Sequence, residues 1–411
     1  MKNQNAIGLL FMACLLLSIL LSESVHSQQA PYYQVDRLYD YIHSVKDHPL
    51  MEYEVIGKSV EGRDLFLFTI TDKTFPDSKK THVWLQFRVH GDEMEVSYIH
   101  EGLVNYLLSS EPESLTKEIL SRMVFHIVPC INPDGVADTS RNNANDQNLN
   151  RCWSDSTNSP NEQPEIKAVH AALDNVILDQ GQKIPLLIDF HTWGGENGDG
   201  GYYLNEEVMG PALLAEQKTF LRTLERFDKW QNFEAWLSGE GLEGGARLML
   251  FRQHKINPFT SETTGGKRFD SSMVTIESLH DQGVAFTKAI YSYLFNVHFT
   301  DTEGNHVNTY GYGDKLYVRL EDDDANKDSL IADIQKVTII SSSGDNEVLL
   351  LEESGPNTGI FRLRSGVLIT VDAPSSGDGI VQTEMGELIT VKYKDTEYFK
   401  DTCWDEALIS D

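Results

Sequence analysis

Short apolar runs alternate with amphipathic stretches along the chain as far as residue 297. Strands are predicted at 82–89, 123–130, 185–190 and 272–278. Three of these runs are almost continuously apolar, which is typical of strands inside a sheet that helices cover on both faces. Helical spacing fills segments between them, at 93–109, 162–178, 211–229 and 284–296. The alternation predicts an α/β fold with a mixed, mostly parallel sheet covered by helices.

The pattern changes after residue 297, where no further helix is predicted. Strand-like runs follow at 315–321, 336–343, 347–354, 359–366 and 387–395. Turn-forming Gly, Asp, Asn and Ser residues separate these runs at short intervals. We therefore expect a small, all-β sandwich built from antiparallel strands.

The first residues carry the features of a secretory signal peptide. One early lysine precedes an apolar stretch at 7–21, and the small residues Val25 and Ser27 precede the expected cleavage point. An apolar run of this length is short for a membrane span, which needs about 20 residues. We expect a secreted protein, extracellular or periplasmic, with no membrane span in the mature chain. The expected division is a signal peptide (1–27), an α/β domain (28–297) and a β-sandwich accessory domain (298–411).

The net charge limits the possible partners, and the cysteine count limits the possible disulfides. The formal net charge of −29 argues against nucleic acid or an anionic membrane surface as a partner. Cys14 would leave with the signal peptide, so three cysteines remain and at most one internal disulfide is possible. Cys130 and Cys152 are the candidate pair. The fold must depend on an ordinary hydrophobic core rather than on a disulfide framework.

Metal-binding residue types follow two of the predicted strands. Strand 82–89 is followed by His90 and, three residues later, Glu93, and strand 185–190 is followed by His191. Open α/β sheets collect their ligand sites at the carboxyl ends of strands, so these segments can converge. Two imidazoles and one carboxylate are a common catalytic zinc set that leaves a position for water. The His-x-x-Glu fragment alone is weak evidence, because it arises by chance in many chains.

Further motifs follow in a fixed order after this pair. They are Asn-Pro-Asp-Gly at 132–135, Arg141, Asn150–Arg151, the segment 188–192 that contains His191, and the segment 274–278. In this order the chain resembles the zinc carboxypeptidase superfamily, over about residues 50–297. The resemblance implies that family's α/β fold and hydrolysis of the C-terminal peptide bond of peptides.

The resemblance also implies a role for each motif. Zn²⁺, one per chain, would be held by His90, Glu93 and His191, and would polarise the scissile carbonyl and activate a water. Arg141 would stabilise the negative charge that develops on the carbonyl oxygen. Asn150 and Arg151 would bind the terminal carboxylate through several hydrogen bonds, as the planar guanidinium allows. The expected partner is a peptide with a free C-terminal carboxylate.

The general base has two candidates. Glu277 is preferred because 272–278 is the better strand and leads into a closing helix. Glu262 is the alternative, but Pro258 and the glycines at 265–266 favour a loop there. If Glu277 is the base, Glu262 falls in a loop that shapes the side-chain pocket and could select a basic terminal residue.

Two departures from the family pattern keep other functions open. Asn148 stands where the family has aspartate, which weakens the expected support of the metal site. No tyrosine lies between Tyr203 and Tyr291 to cap a substrate. The alternatives are a zinc-dependent amidase that trims cell-wall peptides, a non-catalytic zinc-bearing peptide-binding protein, and an acyl-amino-acid deacylase.

The remaining polar motifs are less specific. An acidic segment places oxygen-bearing side chains at spaced positions that would suit Ca²⁺, namely Asp322, Asp324, Asn326, Asp328 and Asp333. Lys327 stands where an EF-hand loop has glycine, so a solvated acidic turn is the alternative. His126, His170 and His254 are interpreted as ordinary polar residues that hold no metal.

Overall fold

The computed structural model describes most of the chain from residue 32 onward. The described residues are 32–154, 162–193, 200–204, 208, 210–230, 237–239, 245–265, 272–304, 307, 309–322, 325, 327–328, 330–394 and 403–410. The expected signal peptide and the calcium candidates Asp324 and Asn326 lie outside them.

Within these residues we number eight α-helices in chain order. They are Val35–Val45 (α1), Glu95–Leu107 (α2), Ser114–Arg122 (α3), Pro133–Asp138 (α4), Pro164–Asp174 (α5), Pro211–Phe227 (α6), Ala246–His254 (α7) and Ile276–Leu294 (α8). Two short 3₁₀ turns lie at Asp77–Lys79 and Leu149–Arg151, and a π-helical turn at Asn175–Asp179 extends α5.

The strands divide between two sheets. The first sheet contains Met51–Lys58 (β1), Asp64–Ile70 (β2), Thr81–Phe87 (β3), Met123–Val128 (β4), Leu186–Trp193 (β5), Gly200–Leu204 (β6), Leu237–Gly239 (β7) and Asn257–Thr264 (β8). The second contains Val297–Thr300 (β9), Thr309–Gly311 (β10), Lys315–Glu321 (β11), Ile334–Ser341 (β12), Asn346–Glu353 (β13), Ile360–Arg362 (β14), Val367–Thr370 (β15), Val381–Gln382 (β16), Leu388–Tyr393 (β17) and Cys403–Ser410 (β18).

The first sheet is mixed, with a parallel centre. Its strand order is β1-β2-β4-β3-β5-β8-β6-β7. The central strands β4, β3, β5 and β8 are parallel, whereas β1 pairs with β2, β2 with β4 and β6 with β8 in antiparallel register. The carboxyl ends of the four parallel strands therefore meet at one edge of the sheet, where the site lies.

Helices cover both faces of this sheet, as the apolar runs predict. Side chains alternate along β3: Leu85 belongs to a core shared with α2 and α8, and Trp84 to a core shared with α5 and α7. Both residues are fully buried. Predicted strands 82–89, 123–130 and 185–190 correspond to β3, β4 and β5, so the α/β prediction is confirmed.

One predicted strand is wrong. Segment 272–278 contains the beginning of α8, and the Thr275 side chain accepts a hydrogen bond from the Ser278 backbone N–H at 3.2 Å as a helix cap. The neighbour of β5 is instead β8, in the segment that was interpreted as a loop. The predicted disulfide is also absent, since Cys130 and Cys152 are free thiols.

The second sheet has its own hydrophobic core, formed by residues between Val297 and Ile409. Most of its strand pairs are antiparallel, as predicted, but β10 pairs with β18 and β15 with β16 in parallel. Arg122 of α3 joins the two regions, because its guanidinium lies 3.1 Å from the Asp405 carboxylate. None of the helices in the described residues has both the length and the apolar character to cross a bilayer.

Candidate active site

The turn after β3 is held in place by one buried arginine and one close backbone contact. Arg88 adopts φ 54°, and its guanidinium donates hydrogen bonds to the Gly91 carbonyl and, at 2.8 Å, to Ser97 Oγ. A Cβ at Gly91 would lie 2.1 Å from the carbonyl carbon of Gly135. Only glycine fits there, so the turn packs directly against α4 and presents His90 and Glu93 at the edge of the sheet.

Three buried side chains converge at this edge. His90 Nδ1 lies 2.6 Å from Glu93 Oε1, and His191 Nδ1 lies 3.0 Å from Glu93 Oε2. The two Nδ1 atoms are 3.1 Å apart. The structure thus brings together the three predicted metal ligands, with two imidazole nitrogens and a carboxylate around one point. This donor set fits zinc.

Neighbouring groups orient both imidazoles toward that point. Asp189 Oδ2 lies 3.0 Å from His191 Nε2, and Asn148 Oδ1 lies 3.1 Å from His90 Nε2. An acceptor at Nε2 favours the tautomer that leaves the Nδ1 lone pair for a metal. Asn148 therefore supplies an accepting oxygen in place of the expected aspartate, and support of His90 is retained.

The protonation states of the three side chains depend on one another. Burial lowers the pKa of His90, which favours the neutral form that binds metals. Burial alone would raise the pKa of Glu93, but His191 and His90 outweigh it and lower that pKa. Burial also opposes protonation of His191, yet Asp189 and Glu93 raise its pKa well above the usual value. The carboxylates therefore attract positive charge to this point.

A cavity of about 230 Å³ opens beside His90 and His191. Among the residues that line it are His90, His191, Arg141, Asn150, Arg151, Arg247 and Glu262. The structure thus brings the predicted residues Arg141, Asn150 and Arg151 to the metal-ligand set.

Each of the three predicted residues also has a contact that places it. Arg141 Nη1 lies 2.8 Å from Glu93 Oε1, and Asn150 Nδ2 lies 3.4 Å from His191 Nε2. Arg151 donates to the Asn150 carbonyl at 2.6 Å. Burial and the charge of Arg141 lower the pKa of Arg151. Two guanidinium groups that lie near each other favour an anionic ligand between them.

The expectation that Glu277 faces the metal site is wrong. Glu277 is solvent-exposed in the first turn of α8, outside the parallel centre of the sheet. Glu262 on β8 is instead the register partner of His191 on β5 and lines the cavity. Burial, followed by the charges of Glu93 and Asp189, raises the pKa of Glu262 to about 7, although His191 opposes the shift.

Sequence reasoning missed Arg247, because α7 was not predicted. This helix begins directly after Gly245, and its Ala246 N–H donates to Asn150 Oδ1 at 3.3 Å. The apolar run after the glycines near residue 245 is the signal that could have indicated the helix. Arg247 adds a third guanidinium to the wall of the cavity.

The acidic segment does not form the predicted calcium site in its described part. Asp322 Oδ1 accepts the Ala325 N–H at 3.3 Å, and Asp328 Oδ1 accepts the Leu330 N–H at 2.9 Å. Asp333 Oδ2 accepts two backbone N–H groups, at 2.6 and 2.9 Å. These carboxylates stabilise their own loop, so calcium is not supported.

The chain is similar to zinc carboxypeptidases in part of its sequence and in its fold. Residues 38–195 match the sequence model of the family described as zinc carboxypeptidase. The fold is that of the metallo-carboxypeptidase from Burkholderia cenocepacia, with a TM-score of 0.55 and 23% identity over 64% of this chain and 69% of that one.

Two curated relatives are similar to the same region. Cytosolic carboxypeptidase 2 of Macaca fascicularis is 27% identical over 276 residues, which cover 62% of this chain and 31% of the relative. Cytosolic carboxypeptidase 6 of Mus musculus is 30% identical over 173 residues, which cover 39% of this chain and 31% of the relative. The chain thus spans about a third of the length of these curated relatives.

Proposed function

We propose that the chain is a zinc metallocarboxypeptidase that hydrolyses the C-terminal peptide bond of peptides. The observation that carries this proposal is the composition of the cavity. It holds the convergent ligands His90 and His191, the partly buried carboxylate of Glu262 and the cations Arg141 and Arg151 within one space. Metal ligands, a base and an anion-binding group are the parts that hydrolysis at a chain terminus requires.

His90, Glu93 and His191 would hold the zinc ion. Zinc bound there supplies a Lewis acid that polarises the scissile carbonyl and lowers the pKa of a water. Asp189 and Asn148 keep the two imidazoles oriented, because each accepts from an Nε2 at about 3 Å.

Glu262 is the general base of the proposed reaction. Its carboxylate takes a proton from the water that attacks the scissile carbonyl carbon, and the C–N bond then breaks as this proton passes to the leaving amine. A carboxylate in this position can accept the proton of the water and release it again to the amine. Arg141 stabilises the negative charge that develops on the carbonyl oxygen.

Arg151 and Asn150 account for action at the chain end. A guanidinium and an amide that face the same cavity can bind a free carboxylate through several hydrogen bonds. A peptide that continues beyond the residue next to the scissile bond lacks a free carboxylate at this position, so the clamp formed by Arg151 and Asn150 selects the terminal residue.

We also propose that the protein acts outside the cytoplasm, since segment 1–27 has the composition of a signal peptide.

Metal content and hydrolysis, measured together, test this proposal. The purified chain and His191→Ala would be assayed for zinc and for release of the terminal residue from blocked dipeptides, with a cell-wall tripeptide and C-terminally amidated peptides alongside. We expect chelator-sensitive release from free-acid peptides by the wild type, and one zinc fewer in His191→Ala.

The other possible results would indicate a different function or contradict the metal assignment. Hydrolysis confined to the cell-wall tripeptide would identify the amidase. Zinc binding without turnover on any peptide would identify a peptide-binding protein. An unchanged zinc content in His191→Ala would contradict the metal assignment itself.

A further inference from the structure

A second group of side chains that could hold a metal ion lies at the far end of α7 from the cavity. His170 and Asp174 are one helical turn apart on α5, and His254 is the last residue of α7. One ligand atom from each of the three residues lies within 4.8 Å of the others. The group shares no residue with His90, Glu93 and His191.

Two atoms of this group lie within ion-pair distance of each other but are poorly aligned for a hydrogen bond. His254 Nε2 lies 2.9 Å from Asp174 Oδ1, yet both buried atoms lack a hydrogen-bond partner among the described residues. The His254 side chain is only 5% exposed. A buried nitrogen and oxygen this close, but not aligned with each other, are arranged like two ligands that face a common ion.

His170 has the surroundings of a metal-binding histidine. Glu162 Oε1 lies 3.1 Å from its Nδ1, and both side chains are fully buried. A carboxylate at one ring nitrogen fixes the tautomer and directs the other nitrogen to a metal. That other nitrogen, Nε2, is hydrogen-bonded to Gln253 Oε1 at 2.7 Å, and a metal bound at Nε2 would displace this hydrogen bond.

We propose that His170, Asp174 and His254 form a second site for a divalent metal ion, with zinc as the favoured ion. Two imidazoles with one carboxylate favour zinc over calcium or magnesium, which prefer all-oxygen sites. The i, i+4 spacing of His170 and Asp174 places both on one face of α5. His254 on α7 completes the group from a second helix.

This ion would have a structural role, because it would join α5 to α7. Arg247 lines the active-site cavity seven residues before His254, about 10 Å along the helix axis. The Trp153 ring, two residues after Arg151, lies 5.8 Å from the His170 ring. A metal at this point would hold the cavity wall and the carboxylate clamp relative to the sheet.

Zinc titration of the metal-free full-length chain, without a histidine tag, tests the proposal. We expect two zinc equivalents in the wild type and one in His191→Ala, measured by calorimetry and by elemental analysis after dialysis. Adding Asp174→Asn to His191→Ala should weaken the remaining binding by 100-fold or more. His43→Gln, an exposed histidine on α1, is the matched control and should keep both equivalents.

Thermal unfolding keeps the proposal testable if a variant folds poorly. Zinc should raise the Tm of His191→Ala, and the nearly isosteric Asp174→Asn should remove that increase while the far-ultraviolet circular dichroism stays unchanged. Absence of zinc binding by folded His191→Ala would overturn the proposal, as would unchanged binding in His191→Ala/Asp174→Asn. Neither readout depends on catalysis, so the proposed peptidase activity can fail or succeed independently.

Discussion

Glu262 and His191 are register partners on the neighbouring parallel strands β8 and β5. Parallel strands present their carboxyl ends at the same edge, so the pairing places the Glu262 carboxylate beside the metal ligands without help from a loop. Every residue of β8 is buried except Glu262, which is partly exposed to the cavity. A rigid strand of this kind suits a group that must stay in register with the metal site.

Replacing Glu262 by glutamine should abolish most of the turnover. The amide keeps the shape of the side chain but cannot accept the proton of the attacking water, and general base catalysis contributes about 10²- to 10⁴-fold. We expect kcat to fall by roughly that factor, with zinc content unchanged. Steady-state kinetics with a blocked dipeptide, alongside elemental analysis, would measure both.

Glu277→Gln is the matched control for this experiment. It makes the same chemical change on an exposed residue at the beginning of α8. We expect kcat within about twofold of the wild type, because surface substitutions away from a site have small effects. Normal turnover in Glu262→Gln together with a large loss in Glu277→Gln would contradict the assignment of the base.

The preference for Glu277 over Glu262 as the base came from hydrophobic patterning, and the position of Glu262 on β8 shows the limit of that method. Strand β8 carries hydroxyl residues where a buried strand usually carries aliphatic ones, and Thr263 and Thr264 are at most 1% exposed. Pro258 at its start also favours a loop. The run at 272–278 is more apolar, but Thr275 caps a helix there. Side-chain polarity alone cannot tell a buried strand of threonines from a loop.

The convergence of His90, Glu93 and His191 was easier to predict, because the spacing of the first two follows from local geometry. His90 and Glu93 are three residues apart at a strand end, and His191 follows an apolar run. The proposed second metal site of His170, Asp174 and His254 is different, since His170 and His254 come together only through the packing of α5 and α7. Residues 84 positions apart in the sequence carry no common pattern, so both were interpreted as ordinary polar residues.

Replacing Arg151 by glutamine should weaken binding of the terminal carboxylate. A charge-assisted hydrogen bond contributes about 1.5–3 kcal/mol, which corresponds to roughly 10- to 150-fold in affinity. We expect KM for free-acid dipeptides to rise within that range. Discrimination against C-terminal amides, measured as the ratio of kcat/KM values, should fall in parallel.

The matched control is Arg364→Gln, which removes an exposed arginine of the second β region whose side chain is 60% exposed. We expect its KM to match that of the wild type. If Arg151→Gln raised KM equally for free-acid and amidated peptides, it would act by general distortion rather than by loss of the clamp.

The charge of the cavity predicts a preference for acidic terminal residues. Three guanidinium groups line it, from Arg141, Arg151 and Arg247, and Arg141 and Arg151 are already assigned to the scissile carbonyl and the terminal carboxylate. Arg247 is the third of these groups, and a guanidinium that faces the side chain of the terminal residue would favour an anion there and disfavour a cation. The idea that Glu262 selects basic residues applied only if Glu277 were the base.

Arg247→Leu tests this preference directly. We expect the ratio of kcat/KM for peptides ending in glutamate to that for peptides ending in leucine to fall by about tenfold or more, the loss of one charge-assisted contact. Arg252→Leu, on the same helix but not part of the cavity lining, is the control. A ratio that stays constant in Arg247→Leu would show that the terminal side chain binds elsewhere.

The buried carboxylate of Glu101 should control the acid stability of the α/β region. It accepts hydrogen bonds from Tyr33 at 2.7 Å and from Arg37 at 2.9 Å, and it lies 3.3 Å from His280 Nε2 on α8. Burial alone would raise the pKa of Glu101, but His280, Arg37 and Tyr33 outweigh it and lower the pKa to about 2. The carboxylate thus joins α1, α2 and α8 in its ionised form.

The direction of the pH effect follows from that shift. The folded pKa is below the unfolded value of about 4.3, so the stabilisation is fully present above pH 4.3 and is lost as the pH falls through 4.3 toward 2. A shift of this size corresponds to about 3 kcal/mol of unfolding free energy.

Urea unfolding of Glu101→Gln and the wild type at pH 7 and pH 3 would measure this stabilisation. We expect a large difference in unfolding free energy between the wild type and Glu101→Gln at pH 7 and a smaller one at pH 3, because the extra stability of the wild type depends on the ionised carboxylate. Glu111→Gln, on an exposed residue, should show little gap at either pH. A gap in Glu101→Gln that is equally large at both pH values would mean that packing, rather than charge, makes Glu101 important.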